Sequence, residues 1–336
     1  MTTLQLSHSR TLGLNGPSTA PIGLGLMGMS DLYGPADDAE SVATIQAALD
    51  AGVTLLDTGD FYGMGHNELL LRDALRGRRR ENALISVKFG VLRDAAGGWN
   101  GVDSSPAAVK NFLAYTLRRL GTDYVDIYRP ARLDPKVPLE ETMGTLADLV
   151  KQGYIRQIGL SEVGAETLRR AHAVHPVSDL QIEYSLVSRG IEQDILPTAR
   201  ELGVGITAYG VLSRGLMSGH WSADGGRRDF RAHLPRFTGE NLQRNLELVE
   251  RLRTIAERKG ATVAQLAIAW VLSRGEDIVP LVGARRRDRL AESLGAASVE
   301  LTAEDIAAIE AAVPADAVAG TRYDAGQMAM LDSERR

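Results

Sequence analysis

Eight short apolar runs alternate with amphipathic stretches along this chain, and this alternation constrains the fold more than any other feature. Within each run the apolar residues are continuous, which is typical of parallel strands that helices cover. Several of the intervening stretches end at a glycine, a common stop signal of helices. The predicted strands are Ile22–Leu26, Val53–Asp57, Ala83–Lys88, Tyr124–Tyr128, Ile155–Leu160, Asp179–Glu183, Val204–Ala208 and Ile278–Val282.

This order of elements predicts an α/β fold of the (β/α)8 TIM barrel type. The segment Thr11–Pro21 contains Asn15-Gly16, so we expect a β-hairpin that closes the bottom of the barrel. Extra helices are predicted before strand eight, over Asn241–Arg258 and Thr262–Ser273, and at the C-terminus, over Ala303–Val313. We expect a single domain over residues 1–336, with an ordered core of about 11–313 and a loosely structured tail over 314–336.

Composition narrows the class of protein. The chain has 336 residues, of which 44% are apolar, so a full core can form. Its net charge of −5 gives no support for nucleic acid or an anionic membrane as a partner. Cysteine is absent, which excludes disulfides and thiolate chemistry. The polar start Met1–Arg10 and the lack of a long apolar run predict a cytoplasmic protein.

Three polar residues follow two consecutive predicted strands. Asp57 and Tyr62 come at and after the end of the second strand, and Lys88 ends the third. Chemistry in such barrels lies at the carboxyl ends of the strands. An ammonium near a phenol stabilises the phenolate and lowers the phenol's pKa, and a carboxylate can hold the ammonium in place. The three residues therefore have the chemistry to protonate a carbonyl oxygen.

A glycine motif in the first strand has two interpretations. Gly23-Leu24-Gly25-Leu26-Met27-Gly28 matches the dinucleotide fingerprint of doubly wound folds. That fingerprint should open a helix directly, whereas here a loop through Gly34-Pro35 follows and the helix begins only near Asp38. We therefore favour glycines that let a ligand approach the first barrel strand closely.

With these motifs in their order, the chain resembles the aldo-keto reductase superfamily over nearly its whole length. The motifs that carry the resemblance are Gly23-x-Gly25-x-x-Gly28, Asp57-Thr-x-x-x-Tyr62-Gly63, Lys88, Asp126-Ile-Tyr128, Gly159-Leu-Ser161, Gln181, Tyr209 and Gly283 to Ser293. The resemblance implies a reductase that moves hydride from NADPH to an aldehyde or ketone. It implies that Tyr62 is the general acid, that Lys88 lowers its pKa, and that Asp57 orients Lys88.

The resemblance also implies which residues bind the cofactor. Ser161 and Gln181 would hydrogen-bond the carboxamide, and Tyr209 would stack on the nicotinamide ring. The full implied set is Gly25, Met27, Gly28, Ser161, Glu162, Gln181, Tyr209, Gly210, Leu212, Arg214, Gly215, Gly283, Arg285, Arg289, Glu292 and Ser293. Of these, Leu212, Arg214 and Gly215 would follow the pyrophosphate, and Glu292 would bind the adenine amino group.

A dense arginine cluster follows the last strand, at Arg285, Arg286, Arg287 and Arg289. Guanidinium groups bind phosphate in a two-point geometry, so the cluster favours NADP over NAD. Four cations at a helix N-terminus oppose the helix dipole, and that cost makes an anionic ligand more credible. A solvated helix start is the alternative.

Two positions depart from the family pattern. Ala131 stands where members usually have a histidine that helps bind the carbonyl oxygen, and Glu162 stands where asparagine is common. Because Arg129 shares the strand face of Ala131, we expect it to face the substrate; the alternative is that the nearby arginines pair with rim carboxylates such as Asp134. A water or a nearby arginine could replace the imidazole. Trp99, after strand three, walls the substrate pocket or lies in solvent.

The function therefore has three readings. The first is an NADPH-dependent reductase of small-molecule carbonyl substrates, without a metal, because no histidines and carboxylates have metal-ligand spacing. The second is a nucleotide-binding regulatory barrel with weak or no turnover. The third is a different (β/α)8 enzyme that uses Lys88 as a Schiff base. Whether the protein is a monomer or a homo-oligomer is left open.

Overall fold

A computed structural model gives the structure of this chain and describes residues 6, 8–30, 32–221 and 229–335. The sequence over 218–237 is rich in glycine, arginine and aromatic residues and predicts a loop, of which residues 222–228 lie outside the described part of the chain. The strands, in chain order, are β1 Arg10–Thr11, β2 Ser18–Thr19, β3 Gly23–Gly25, β4 Leu55–Gly59, β5 Leu84–Phe89, β6 Val91–Arg93, β7 Trp99–Val102, β8 Val125–Pro130, β9 Ile155–Ser161, β10 Val177–Glu183, β11 Gly205–Tyr209 and β12 Ile278–Gly283.

Eight of these strands close into one parallel barrel, in the order β3, β4, β5, β8, β9, β10, β11, β12 and back to β3. The predicted (β/α)8 barrel is confirmed, and the doubly wound alternative is wrong. The glycine motif explains why: β3 ends at Gly25 and is followed by a 3-10 turn over Met27–Met29, while the next α-helix begins at Asp38.

Helices cover the outside of the barrel. They are α1 Asp38–Asp50, α2 His66–Ala74, α3 Pro106–Leu120, α4 Leu139–Lys151, α5 Ala165–Val174, α6 Ile195–Leu202, α7 Gly239–Arg258, α8 Val263–Ser273, α9 Arg287–Leu294, α10 Ala303–Ala312 and α11 Ala325–Ala329. The local sequence sets their ends. For example, Ser105 caps α3 by accepting from Ala108 N, Pro106 opens the helix, and Gly121 ends it in the left-handed conformation.

The N-terminal hairpin closes the bottom of the barrel, as predicted. Strands β1 and β2 are antiparallel, with Arg10 opposite Thr19. Leu12, in the turn, is fully buried against Leu55 and Leu281 inside the barrel. The Leu12 side chain thus fills the end of the barrel that the hairpin covers. The polar groups described below lie at the other end, where the strands have their carboxyl ends.

The C-terminal tail does not have the loose structure expected from its sequence. Leu331 is buried, and Arg322 is only 6% exposed because it binds carboxylates at the rim of the barrel. α11 and a 3-10 turn over Asp332–Glu334 lie within this segment. The expectation of a loosely structured tail after residue 313 is therefore corrected, and the tail contributes side chains to the site described next.

Candidate active site

Asp57 and Lys88 form a buried ion pair at the carboxyl ends of β4 and β5. Lys88 Nζ donates to Asp57 Oδ1 and, at 2.9 Å, to Gln181 Oε1. Asp57 Oδ2 accepts from Ser86 Oγ and from Gln181 Nε2, each at 2.8 Å. The structure thus brings together the predicted carboxylate and amine. Both the oxygen and the nitrogen of the Gln181 amide hydrogen-bond to this pair, whereas the resemblance implied that Gln181 binds the nicotinamide carboxamide.

Tyr62 lies next to this pair. It begins a short turn over Tyr62–Gly65, in which Gly63 and Met64 have φ of 56° and 55°. Lys88 Nζ is 5.3 Å from the centroid of the Tyr62 ring. The predicted acid, phenol and amine are therefore neighbours at one end of the barrel.

The pKa of Tyr62 differs from the expectation. Burial raises the pKa of Tyr62 well above its ordinary value, Asp57 raises it further, and Arg132 opposes both. Burial also lowers the pKa of Lys88, although Asp57 raises it. The Tyr62 pKa is therefore not lowered overall in this structure, because desolvation outweighs the opposing charge of Arg132. That Lys88 stabilises the Tyr62 phenolate stays a prediction.

Arg129 does not reach the substrate side. It is fully buried, and its Nη1 donates to Asp179 Oδ2 while its Nη2 donates to Ser86 Oγ, each at 2.9 Å. It supports the Asp57 cluster from inside the barrel. The expectation that Arg129 lines the substrate pocket is corrected, since its two guanidinium donors face the barrel interior.

Arg132 reaches the rim instead, and this residue was missed as a site residue. It acts electrostatically on Tyr62, Lys88 and Glu162. Strand β8 ends at Pro130, so the alternation of faces that favoured Arg129 stops one residue before Ala131. Pro130 was the available signal, because proline interrupts strand pairing.

Ala131 and Trp99 belong to one apolar wall. Ala131 is buried with Phe61, Tyr62 and Val91. Trp99 starts β7, is 55% exposed, and packs edge-on against Phe61 with ring centroids 5.6 Å apart. Ala131 therefore lies in the cluster of Tyr62, and Trp99 is connected to Tyr62 through Phe61. Although Trp99 is half-exposed, its ring is in contact with Phe61 and is not surrounded by solvent alone.

Glu162 is neutralised by the C-terminal tail. Arg322 donates to both of its carboxylate oxygens, at 2.9 and 2.6 Å, and Tyr209 Oη donates at 2.7 Å. Ser333 Oγ adds a fourth hydrogen bond at 2.6 Å. Burial alone would raise the pKa of Glu162, but Arg322 outweighs it and, with Arg132 and Ser333, brings it to about 2. The expected free negative charge beside the nicotinamide is therefore compensated.

The loop after β11 holds a second buried ionic group. Arg214 Nη2 donates to Glu183 Oε2 at 3.0 Å, and the Arg214 guanidinium lies 4.3 Å from the centroid of the Tyr323 ring. Arg236 binds the other oxygen of Glu183. Gly210 is required here, since its φ is +65° and a Cβ would come within 3.1 Å of Glu183 Cγ. Leu212 and Gly215 continue this loop, which turns back on itself through a left-handed Gly215.

Glycines form an open stretch of rim at the ends of β12 and β3, next to β11. Gly283 of β12 pairs with Gly25 of β3, which in turn pairs with Asp57 of β4. A Cβ at Gly283 would meet nothing within 4 Å. Met27 packs beside Tyr62, and Gly28 lies near the side chain of Arg285. Backbone is thus accessible next to the predicted catalytic residues.

The arginine cluster is largely paired with carboxylates. Arg286 binds Asp288, Arg287 binds Glu40, and Arg289 binds Glu292. Glu292 also contacts His220 at 2.9 Å, and Ser293 is buried in α9. The expectation of uncompensated positive charge at this helix start is therefore corrected, because neighbouring carboxylates pair with three of the four arginines. Arg285 differs: its Nη1 donates to backbone carbonyls, including Tyr33 O and Pro35 O at 3.0 Å each.

Known proteins resemble this chain along most of its length. A sequence model of the Aldo/keto reductase family matches residues 21–314. The chain belongs to this family. It is 41% identical over 315 residues to a protein named probable aldo-keto reductase 1 from Glycine max, covering 93% of this chain and 90% of that protein.

Solved aldo/keto reductase structures share the fold. The glycerol dehydrogenase AKR11B4 from Gluconobacter oxydans superposes with a TM-score of 0.83 at 29% identity, covering 94% of this chain and 98% of that one. The aldo-keto reductase AKR11C1 from Bacillus halodurans, a holo form, gives 0.77 at 26% identity, covering 91% and 96%. Membership of the aldo/keto reductase family makes this chain an oxidoreductase that acts on small carbonyl compounds.

Aldo/keto reductases use nicotinamide cofactors, and the residues present fit such a group. Arg214 Nη1 is buried without a hydrogen-bond partner among the described residues, so this nitrogen can donate to an anionic ligand while Nη2 stays paired with Glu183. The open glycine stretch at Gly25 and Gly283 leaves room for a ligand against the backbone. Ser161, at the end of β9, is buried beside Gln181, its partner in the strand register.

Several residues of this aldo/keto reductase site could not be found from the sequence. Arg322 and Tyr323 come from the tail, and Tyr323 Oη lies 3.2 Å from Tyr209 Oη. No strand end or motif marks either residue. Among the described residues, no group of histidines and acidic residues is arranged to hold a metal ion. In the same part of the chain, no helix is both long and apolar enough to cross a membrane.

Proposed function

We propose that this chain reduces aldehydes or ketones to alcohols with NADPH, and that Tyr62 is the general acid. The observation that carries the proposal is the position of Tyr62, whose ring lies 5.3 Å from a lysine held by Asp57 and Gln181. Trp99, Phe61 and Ala131 form an apolar wall on the same side. A carbonyl compound bound against this wall has its oxygen within reach of the phenol.

Tyr62 holds the proton that the product alcohol needs. Burial raises the pKa of Tyr62, so the phenol stays protonated until the carbonyl oxygen gains negative charge and takes the proton from Oη. Lys88, held by Asp57, stabilises the phenolate that this transfer leaves. A bound nicotinamide supplies the hydride that adds to the carbonyl carbon.

Other residues position the cofactor and exclude water. Ser161 and Gln181 lie at neighbouring strand ends, where they can bind a carboxamide. Gln181 now bonds to Lys88 and Asp57, so it binds the carboxamide by giving up one of these two hydrogen bonds. Tyr209, held by Glu162, offers a ring face at the rim. Arg214 has an unpartnered nitrogen for the pyrophosphate.

The preference for NADP over NAD rests on Arg285 and Arg289. The guanidinium of Arg285 donates to the backbone carbonyls of Tyr33, Gly34 and Pro35, so binding a 2′-phosphate would break no ion pair among the described residues. Arg289 is half-exposed, and its guanidinium has enough donors to bind a phosphate while it stays paired with Glu292.

A regulatory nucleotide-binding barrel is the second candidate. Ala131 cannot hydrogen-bond a carbonyl oxygen, and the tail residues Arg322 and Tyr323 pack against Tyr209, which is predicted to stack on the cofactor. Slow or absent turnover would follow if the tail keeps substrate out.

One assay separates the two candidates. The purified protein is mixed with NADPH or NADH and with a panel of aromatic aldehydes, short aldehydes, diketones and pyridoxal, and absorbance is followed at 340 nm. Binding of NADPH is measured in parallel by its fluorescence. We expect carbonyl-dependent oxidation of NADPH in preference to NADH. Tight NADPH binding without oxidation by any carbonyl would favour the regulatory barrel.

A further inference from the structure

Arg132 carries a positive charge at the rim and forms no ion pair with a carboxylate within the described residues, although Glu162 acts on it electrostatically. Among the described residues, its one hydrogen bond is from Nη1 to Ala131 O, at 2.6 Å. A guanidinium group has five N–H donors, so most donors of Arg132 have no partner within that part of the chain. The side chain is partly buried and acts electrostatically on both Tyr62 and Lys88. It therefore lies on the reacting side of the barrel and not on its outer surface.

The rim as a whole has more cations than carboxylates. Asp57 pairs with Lys88, and Glu162 pairs with Arg322. Glu183 is shared by Arg214 and Arg236. Glu334 also pairs with Arg322. Among the described residues, four carboxylates thus face four paired cations, and Arg132 adds a fifth cation. Arg214 lies on the loop after β11, whereas Arg132 follows β8 beside Ala131.

An unpaired guanidinium next to an apolar wall fits a particular kind of substrate. Guanidinium groups bind carboxylates in a planar, two-point geometry that an ammonium cannot reproduce. The apolar wall of Phe61 and Trp99 fits the carbon skeleton that joins the carboxylate to the carbonyl. The reacting carbonyl oxygen is served by Tyr62, so the donors of Arg132 remain available for a second polar group.

We infer that Arg132 is a specificity-determining residue that binds the carboxylate of a carbonyl substrate, so that aldehydes or ketones bearing a carboxylate are the substrate class. The inference rests on the proposed reductase function. It assigns to Arg132 a binding role and leaves proton donation to Tyr62.

The test compares an acid and its neutral ester. Steady-state kcat and KM are measured with NADPH for 4-carboxybenzaldehyde and methyl 4-formylbenzoate, using the wild type, Arg132→Gln and Arg132→Lys. Arg169→Gln is the control for net charge, because Arg169 is half-exposed on α5 and pairs with Glu201, away from the rim. Binding of benzoate is measured by calorimetry for the same four proteins.

We expect Arg132→Gln to lower kcat/KM for the acid by roughly 10- to 100-fold, mainly through KM, as expected for a lost charge-assisted hydrogen bond. The loss with the ester should be several-fold smaller than the loss with the acid, because the ester reports only the change of charge near Tyr62 and Lys88. Arg132→Lys should recover part of the loss, and Arg169→Gln should match the wild type. Equal losses on acid and ester would overturn the inference, since Arg132 would then serve the carbonyl oxygen. No loss on either compound would also overturn it.

Benzoate binding separates this inference from the proposed function. If the wild type oxidises NADPH with neither aldehyde, the proposed reduction of these carbonyls fails, while benzoate still reports on Arg132. Benzoate affinity that falls in Arg132→Gln and not in Arg169→Gln supports the carboxylate site. Benzoate that does not bind the wild type, or binds Arg132→Gln equally well, overturns it.

Discussion

Arg322 and Glu162 form a two-point ion pair that ties the C-terminal tail to the end of β9, with N–O distances of 2.9 and 2.6 Å. Both side chains are almost fully buried. The same carboxylate holds Tyr209, which is proposed to stack on the cofactor. The position of the tail and the position of a predicted cofactor residue are therefore linked through one carboxylate.

Removing Arg322 should destabilise the chain, because Glu162 would be left charged and buried. We expect Arg322→Met to lower the free energy of unfolding by about 3–5 kcal/mol at pH 7, and Arg322→Met with Glu162→Gln to recover part of it. Urea denaturation measures both variants. A loss in the single variant that the double variant does not reduce would contradict this account.

The same pair predicts a pH dependence. The pKa of Glu162 is lowered from 4.5 to about 2, so its contribution to stability is present above pH 4.5 and is lost as pH falls from there toward 2. Wild type should therefore lose stability more steeply than Glu162→Gln over this window. Parallel unfolding midpoints for the two proteins between pH 5 and the lowest pH at which both fold would contradict the assignment.

Arg285 should discriminate between the two cofactors. We expect Arg285→Ala to weaken NADPH binding by roughly 10-fold or more and to change NADH binding little, since only NADPH offers a 2′-phosphate. Cofactor fluorescence titration measures both affinities. Arg287→Ala is the matched control, because Arg287 already pairs with Glu40. Equal weakening of NADPH and NADH in Arg285→Ala would contradict the proposed preference.

Asp60 is buried near Glu68, and no donor among the described residues lies within hydrogen-bond geometry of either of its carboxylate oxygens. Burial raises the pKa of Asp60 well above 3.8, and Glu68 adds to this. The stability of the folded chain should fall as pH rises above 3.8 toward the folded-state pKa, because the carboxyl must then ionise. We expect Asp60→Asn to be stabilising, by an amount that grows with pH.

Unfolding in urea at pH 5, 6, 7 and 8 checks this prediction, with the exposed Asp316→Asn as control. A gain in Asp60→Asn that is the same at all four pH values, or a gain that shrinks as pH rises, would contradict the raised pKa. The unpartnered oxygens of Asp60 also mean that the uncharged amide loses no hydrogen bond within the described residues.

Ala131→His tests what the departure from the family pattern costs. The new imidazole would add a hydrogen-bond donor beside Tyr62, so we expect turnover to rise or the order of preferred substrates to change. It must also fit into the cluster of Phe61, Tyr62 and Val91, which should lower stability by about 1–3 kcal/mol. Unchanged kinetics with the whole substrate panel would mean that the carbonyl is oriented by other groups.

The barrel could be predicted because its strands are short, continuous apolar runs with polar ends. The contact between Asp57 and Lys88 followed from the same reasoning, since neighbouring parallel strands end at one rim. Strand parity failed at Arg129 and Arg132, because Pro130 ends the strand before the alternation can place the next residues. Alternation predicts the direction of a side chain only for residues whose backbone is still paired in the sheet.

Long-range partners were the part that could not be predicted. Glu162 meets Arg322, which is 160 positions later in the chain. The sequence shows Glu162 as a departure and Arg322 as an ordinary tail residue, and nothing in either segment indicates that they pair. Likewise, the arginine cluster appears unbalanced in sequence only because Glu40, which pairs with Arg287, comes from α1.

The central claim is that Tyr62 donates the proton, and Tyr62→Phe tests it most directly. The measurement is kcat for NADPH oxidation with the best carbonyl of the panel, with NADPH affinity measured alongside. Tyr128→Phe is the matched control, because the Tyr128 hydroxyl is buried without a partner among the described residues and its ring belongs to a different apolar cluster from Tyr62. We predict that Tyr62→Phe lowers kcat by about 10²- to 10⁴-fold while NADPH affinity and the Tyr128→Phe rate stay near wild type. A kcat for Tyr62→Phe within about 3-fold of the wild type would contradict the account.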